Sequence, residues 1–571
     1  MLPKQIVAAE FNKLHTRMIY KSVNKMFEQA LRENWERPAL SNYRGTTIFY
    51  RDLAERIAKL HILFEHCGLQ KGDKVAICAR NQVNWAVSFL SAMTYGAVPV
   101  PILHEFKPGN VHHLVNHSEA KVLFVDPIVW EGLTESEMPE VQAIVRVDTF
   151  KLIYASSEDI TYAREHLNSL FGAKYPESFG PSDMDYYEDS PEELALINYT
   201  SGTSGFSKGV MIPYRTIQSN MEFAAIACPY MDNNSNIIAM LPSAHMYGLM
   251  FEVLYQLYKG VHVHFLTRVP SPKIIMEALA EVKPDLVISV PLVIEKIYKS
   301  KVRPILEKNG IRQMLRLHIL DQLILNKIKT ELVNAFGGRF HEVIIGGAAF
   351  NKDVEEFFKK IHFPFTVGYG MTECGPIITY DDWSTVKLYS CGKAAPNMTI
   401  KIDSTDPENV PGEVLVKGDN VFLGYYKNQE ATDAVFTEDG WFKTGDMGVL
   451  DKDGYLFLKG RSKCMILGPS GQNIYPEEIE TVLNSLAYVV DSLVIEDNGG
   501  LTALVYPDLH QAEIDGLAGE ALQAHIESLV KEANNELPNY AKIKAVEIMP
   551  EDFERTPKRS IKRYLYQRNS K

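Results

Sequence analysis

"LALINYTSGTSGFSKGV", Leu194 to Val210, sets an apolar run against a loop of glycines, hydroxyl residues and one lysine. "LALINY" reads as a short buried strand, with turn residues at its end. Gly202, Gly205 and Gly209 permit backbone angles and close approaches that a Cβ resists. Thr200, Ser201, Thr203 and Ser204 add hydroxyl donors, and Lys208 adds a positive charge on a flexible stem. Such a set suits a cradle for phosphate oxygens. Its order, G-x-x-G-x-x-K-G, departs from the G-x-x-x-x-G-K-[ST] spacing of P-loop nucleotidases and argues against that class. A flexible surface turn has the same composition, so the rest of the chain must decide.

Outward from the loop, apolar runs alternate with helical patterns between about residues 20 and 300: "KVAIC", "KVLFV", "IIAMLP", "VHVHFL", "DLVISV". Short apolar strands separated by helices indicate an α/β fold with largely buried sheets. Six acids in "SDMDYYEDSPEEL", Ser182 to Leu194, mark a solvated connection into the strand. Past residue 390, "MTIKI", "GEVLVKG" and "GYLFLKG" alternate with Gly, Asp and Pro, the pattern of a small β-rich subdomain. After "GRSKCMI", Pro476 opens a helix, and "VVDSLVIEDNGGLTALVYPD" reads as two strands around a turn. Leu522, Ile526, Leu529, Val530, Ala533 and Leu537 share one helical face. This last unit, about 110 residues of α+β, is large enough for a separate small domain.

With 571 residues the chain is too long for one ordinary core, and two to four domains are expected. Apolar residues at 46% and charged residues at 23% fit a soluble globular protein. A net charge of -13 argues against a general nucleic-acid binder. Six scattered cysteines without a C-x-x-C pair point to a reducing, cytoplasmic setting and no zinc site. The N-terminus lacks an apolar signal core. The longest uncharged run, Ala86 to Leu103, contains Gly96, Pro99 and Pro101, which divide it into a buried helix and a strand rather than a membrane span.

Two more stretches place glycines after an apolar strand: "VIIGGAAF" (Val343 to Phe350) and "TVGYGMTECGP" (Thr366 to Pro376). Ligands of open α/β sheets sit at such strand ends. Gly346, Gly347 and Ala348 would let a flat purine lie close to the backbone, with Tyr369 over its other face. Thr372 offers a hydroxyl and Glu373 a hard oxygen for Mg²⁺. Asp446 in "WFKTGD" suits two ribose hydroxyls, and Arg461 in "GRSK" suits the ribose or a phosphate.

In order, "YTSGTSGFSKGV", "PSAHMYG", "GGAAF", "GYGMTE", "WFKTGD", "GRSK" and "GQNIYPEEIE" resemble the adenylate-forming superfamily of acyl-CoA synthetases, adenylation domains and luciferases. The resemblance runs from about residue 25 to 565 and is strongest to bacterial long-chain fatty acid–CoA ligases. It implies two α/β subdomains and a β-rich subdomain (about 391–460) in an N-terminal domain 1–460. A hinge at 461–463 and a mobile α+β C-terminal domain 464–571 follow. It implies ATP and CoA as substrates, with Mg²⁺: a carboxylate attacks the α-phosphate, pyrophosphate leaves, and the acyl-adenylate then meets the thiol of CoA. Thr200, Ser201, Gly202, Thr203, Ser204, Gly205 and Lys208 would hold the leaving phosphates. Glu373 and Thr200 would hold the metal. Gly347, Ala348, Tyr369, Gly370, Met371 and Thr372 would frame adenine and the α-phosphate, and Asp446 and Arg461 the ribose. His245 would stand beside the carboxylate, with Met246, Tyr247 and Met250 along the acyl pocket. Lys463 matches the hinge, and Gly471 the loop facing the pantetheine channel. Small-molecule partners follow, with peripheral membrane contact for substrate collection and the oligomeric state left open.

The chain departs from the family pattern at two places. Ser204 and Ser207 stand where Thr and Pro are common; losing the Pro loosens the loop. The tail "RTPKRSIKRYLY" puts Ser560 where the family has a lysine for the substrate carboxylate and α-phosphate. A serine cannot supply that charge. Lys558 and Lys562, two residues to either side, would share a face in an extended chain, and Lys562 is the preferred substitute. Loading of a carrier protein instead of CoA, and nucleotide binding without catalysis, are the rival readings.

Overall fold

The computed structural model describes residues 21–200, 207–268, 271–306, 308, 310–311, 314, 321–467, 472–497, 500–535, 537–556 and 560–568. The long uncharged run divides at its punctuation: helix Val83–Tyr95 ends at Gly96, and strand Val98–Ile102 follows. Gly96 has φ 88°, the left-handed cap that residues with a Cβ rarely adopt, and a Cβ there would stand 2.9 Å from the Tyr187 ring. Among the described residues, no helix is long and apolar enough to cross a membrane.

Strand Val98–Ile102 joins Lys74–Cys78, Ala120–Val125, Ala143–Arg146 and Leu152–Ala155 in a five-stranded sheet, parallel except for its last pair. Helices Val83–Tyr95 and Pro108–Ser118 pack on it. Such cover explains why "KVAIC" and "KVLFV" are apolar throughout instead of alternating. Asn236–Ala239, His262–Phe265 and Pro38–Asn42 form a second parallel set, with Thr47–Phe49 antiparallel at its edge. Val287–Ser289, Val343–Ile345 and Phe365–Val367 form a third, parallel sheet with a cluster of its own around Phe336, Phe358 and Phe365.

The 194–200 run is strand Leu194–Thr200. Beyond the glycine loop the chain returns antiparallel as Lys208–Pro213, with Thr200 opposite Lys208, and enters helix Tyr214–Ala227. Gly424–Tyr425 completes this small sheet from two hundred residues further on. Met398–Asp403, Gly412–Gly418, Phe442–Leu450 and Leu456–Arg461 make the antiparallel sheet expected of the β-rich stretch.

After residue 464 a separate core gathers around Ile479, Leu501, Val505 and Ile526. Helix Pro476–Leu483 starts at its proline, and Val489–Asp497 pairs with Gly500–Pro507. Leu522, Ile526, Val530 and Ala533 are buried along helix Glu520–Ala533. Leu529 is only half-buried, and Leu537 lies beyond the helix. The helix stops because the Asn534 amide exchanges hydrogen bonds with the backbone of Ile543, at 2.9 and 2.8 Å.

Three histidines are held neutral by this packing. His61 Nε2 lies 3.1 Å from the Ser91 carbonyl and the Thr94 hydroxyl, and burial pushes the ring down to about 4. His262 and His264, side by side on one strand, are pushed down by burial to about 4 and about 3. An unfolded histidine titrates near 6.5, so between pH 6.5 and 4 the unfolded chain binds protons that the native chain does not. Stability is therefore expected to fall as pH drops through that window, by up to roughly 3 kcal/mol from His61 alone. His61→Gln keeps a donor for Ser91 and does not titrate. Its urea midpoints between pH 7 and 4.5 should decline less steeply than those of the wild type; parallel curves would contradict this.

Candidate active site

The three strands of the third sheet run the same way, so their carboxyl ends meet at one edge. Gly346 and Gly347 follow the second strand, and Gly368 to Thr372 the third. Gly347 has φ 92°, and a Cβ on Gly370 would collide with the Pro376 carbonyl at 2.1 Å, so both glycines are required by the turns they make. Gly347, Tyr369, Gly370, Met371 and Thr372 line a cavity at this edge, and Ala348 follows on its exposed rim.

Tyr369 is buried and its hydroxyl donates to Asp446 Oδ2 at 2.6 Å. Asp446 lies opposite Arg461 across the antiparallel sheet, with Oδ1 3.3 Å from the Arg461 Nε. Burial raises the Asp446 carboxyl above the ordinary range, against the pull of the Arg461 charge and the Tyr369 hydroxyl. A carboxylate has about four acceptor sites; these partners leave room for two more donors.

Thr372 and Glu373 lie in a single 3-10 turn, Thr372–Cys374, and are nearly buried. Tyr425 donates to Glu373 Oε1 at 3.0 Å, and the Lys208 ammonium sits over the same Tyr425 ring, 4.7 Å from its centroid. Tyr425 thus brings the lysine of the glycine loop and the acid of "GYGMTE" to one place. Among the described residues the second Glu373 oxygen accepts no hydrogen bond. One hard oxygen close to the Lys208 ammonium would fit Mg²⁺, which takes one or two carboxylates plus substrate phosphates and keeps several waters. The Thr200 hydroxyl reaches the Lys208 carbonyl at 3.5 Å. Ser201, Gly202, Thr203, Ser204 and Gly205 lie outside the described residues, as do Gly471 and Lys558.

His245 enters the same cavity from the other side. Its Nδ1 accepts from the Tyr247 N–H at 3.4 Å, capping the turn Met246–Gly248. Buried polar groups fix the loop before it. Asn81 bonds Leu241 and Ser243, Asn198 donates to the Ala244 carbonyl, and buried Glu252 accepts from the N–H groups of Met240 and Leu241. Tyr247 lines the cavity, with Phe251 and Tyr255 four and eight residues on. Met246 and Met250 do not: both are fully buried in the main core, with Leu249, Val253 and Leu254. The segment continues as a π-helical stretch, Leu249–Leu254, that is buried all round and apolar except for Glu252, so periodicity alone could not tell the cavity face from the core face.

Lys463 is exposed in a short turn between the antiparallel sheet and the C-terminal unit. Lys562 is not brought to the cavity; its ammonium pairs with Glu554 at 2.9 Å. Tyr425, Phe223 and Tyr380 were not marked by any sequence motif. They come from a two-residue strand, from helix Tyr214–Ala227 and from strand Ile377–Tyr380, whose apolar patterns read as core.

A model of AMP-binding enzymes matches residues 27–426, and one of the AMP-binding enzyme C-terminal domain matches 465–569. A long-chain fatty acid–CoA ligase of Mycobacterium bovis is 27% identical over 87% of this chain and 86% of its own. An anthranilate CoA ligase in complex with anthranoyl-AMP superposes with TM-score 0.77 over 96% of this chain and 97% of its own, at 18% identity. O-succinylbenzoate CoA synthetase of Bacillus subtilis, in complex with ATP and magnesium ion, gives TM-score 0.71 over 94% and 98%, at 21% identity.

Proposed function

The chain belongs to the AMP-binding enzyme family, and from that premise we propose that it joins a long-chain fatty acid to CoA with conversion of ATP to AMP and pyrophosphate. The observation that carries this reading is a single cavity with His245 and Tyr247 on one side and Gly347 and Tyr369 to Thr372 on the other. An acid seated against apolar rings would there meet a nucleotide seated on glycines. The named relatives that act on fatty acids support the acid class, while the likeness to an anthranilate ligase bears on the fold alone.

In the first step a carboxylate oxygen bonds the α-phosphorus and the bond to the pyrophosphate oxygen breaks. Such a displacement needs alignment and charge neutralisation. Lys208 and Thr200 hold the leaving phosphates, Thr372 the α-phosphate, and His245 the incoming carboxylate. Asp446 and Arg461 fix the ribose, and Tyr369 and Gly347 the adenine. Glu373 would hold Mg²⁺, which would supply further positive charge when bound. In the second step the CoA sulfur bonds the acyl carbon, the thiol proton leaves, and AMP departs with the electrons of the broken C–O bond. Rotation of the unit after 463 about Lys463 would present that unit to the cavity for that step.

The test is pyrophosphate release with ATP and Mg²⁺ over acids from acetate to palmitate, with and without CoA. Release that rises toward long chains, and rises again with CoA, is expected. ATP binding without release for any acid would leave a silent nucleotide binder, to which Ser560 points. Release that CoA does not raise would indicate a carrier-protein acceptor.

A further inference from the structure

The cavity extends well away from the nucleotide edge. Leu286, which lines it, and Glu342 each stand one residue ahead of a strand of the third sheet, at the amino edge. Glu342 and Gly346 flank the three-residue strand Val343–Ile345, four residue steps or roughly 13 Å apart. At this far edge the Glu342 carboxyl is 1% exposed. It accepts from the Tyr230 hydroxyl at 2.7 Å and from the Tyr380 hydroxyl at 3.0 Å. Tyr380 lines the cavity, and its hydroxyl is bound to Glu342, which is not among the lining residues. Phe223 packs edge-on against both Tyr380 and Phe251, with ring centroids 5.3 and 6.0 Å apart. The Tyr255 hydroxyl donates to the carbonyl of Cys228, another lining residue, at 3.2 Å. Burial pushes the Glu342 carboxyl up to about 7, so its two hydroxyl donors offset a real desolvation cost. The room left inside is about 70 Å³, below the roughly 300–1,000 Å³ of pockets that enclose drug-sized ligands.

We propose that Tyr380, anchored on the buried Glu342, is the end wall of the acyl cavity and sets the acid length at which activation falls off. The inference rests on the fatty-acid reading above. An acid that reaches the ring fills the cavity, and a longer one enters only if Tyr380 leaves its anchor or Phe223 yields. Tyr380 is the specificity-determining residue; Glu342 and Tyr230 are positioning residues that hold it.

The experiment is kcat/KM for pyrophosphate release over saturated acids from acetate through palmitate to longer chains. The proteins are wild type, Tyr380→Ala, Tyr380→Phe, Glu342→Gln and Phe223→Leu, the last in case Tyr380→Ala does not fold. Tyr380→Ala is expected to move the fall-off by about two carbons or more and to raise the first disfavoured acid about tenfold, the order that methylene discrimination supports. Tyr380→Phe, which keeps the ring and loses the anchor, should flatten the fall-off, as should Glu342→Gln. KM for ATP should stay at its wild-type value, which general loosening of the fold would not allow. An unchanged length profile in folded, active Tyr380→Ala and Phe223→Leu overturns the inference. If wild type releases no pyrophosphate with any acid, the function reading fails by itself. Calorimetric binding of the same acids then judges the wall: a cut-off that Tyr380→Ala lengthens supports it, and an identical cut-off overturns it.

Discussion

Glu373→Gln is expected to slow pyrophosphate release about 100- to 1,000-fold, the usual cost of removing one preorganised charge or donor from a transition state. Glutamine keeps the volume, and its carbonyl still accepts the Tyr425 hydroxyl that holds Oε1 at 3.0 Å. Fold stability should therefore change little. What is lost is the negative charge of the second oxygen, which no hydrogen bond of the described residues occupies. A neutral amide is a poor ligand for Mg²⁺, which selects hard, charged oxygens. The Mg²⁺ concentration needed for half-maximal rate should rise with the fall in rate. Thioester formation from synthetic acyl-adenylate and CoA does not transfer a phosphoryl group and should be retained. Equal loss in both half-reactions would mean that Glu373 shapes the cavity instead of holding the metal.

The motifs that made Glu373 visible were short, local and tied to backbone demands. Gly347 and Gly370 stand where a Cβ would meet a strained angle or a carbonyl, and such positions are legible from residue type. The apolar stretch of Leu194 to Tyr199 likewise declared its strand, and Gly96 its helix end. Contacts made across the chain were not legible. Nothing near Lys208 announces Tyr425, and nothing near Tyr380 announces Glu342, 38 residues away. Aromatic and aliphatic residues weigh alike in a hydrophobic pattern, so the pattern sets Met246 and Met250 beside Tyr247 along the pocket, whereas Tyr247 and Phe251 line the cavity and the two methionines lie in the core. The misplacement of Leu537 differs in kind, because Asn534, Asn535 and Pro538 are stop signals written in the sequence. Apolar spacing alone carries the helical face past them.

Lys562→Ala is expected to lower pyrophosphate release about 100-fold while sparing thioester formation from preformed acyl-adenylate. Around Ser560 the tail folds back on itself. Arg555 bridges Ile561, the Thr556 N–H donates to the Ser560 carbonyl, and the Lys562 N–H donates to the Glu554 carbonyl, both at 2.8 Å. The Lys562 ammonium then rests on Glu554, whose side chain is 65% exposed. A pair this open to solvent contributes little, so its release would cost little if the C-terminal unit turns toward the cavity. The hydrogen bond to Glu554 raises the Lys562 pKa, and a lysine released from such a bond stays charged at neutral pH because its ordinary value is about 10.4. Glu554→Gln should then leave release unchanged or raise it, since the competitor for the ammonium is gone. Lys558→Ala, which removes the other nearby charge, should have the smaller effect. If Lys558→Ala takes the large loss and Lys562→Ala does not, the charge belongs two residues before Ser560. If both single variants and the double variant release pyrophosphate at the wild-type rate, neither tail lysine acts in the first step.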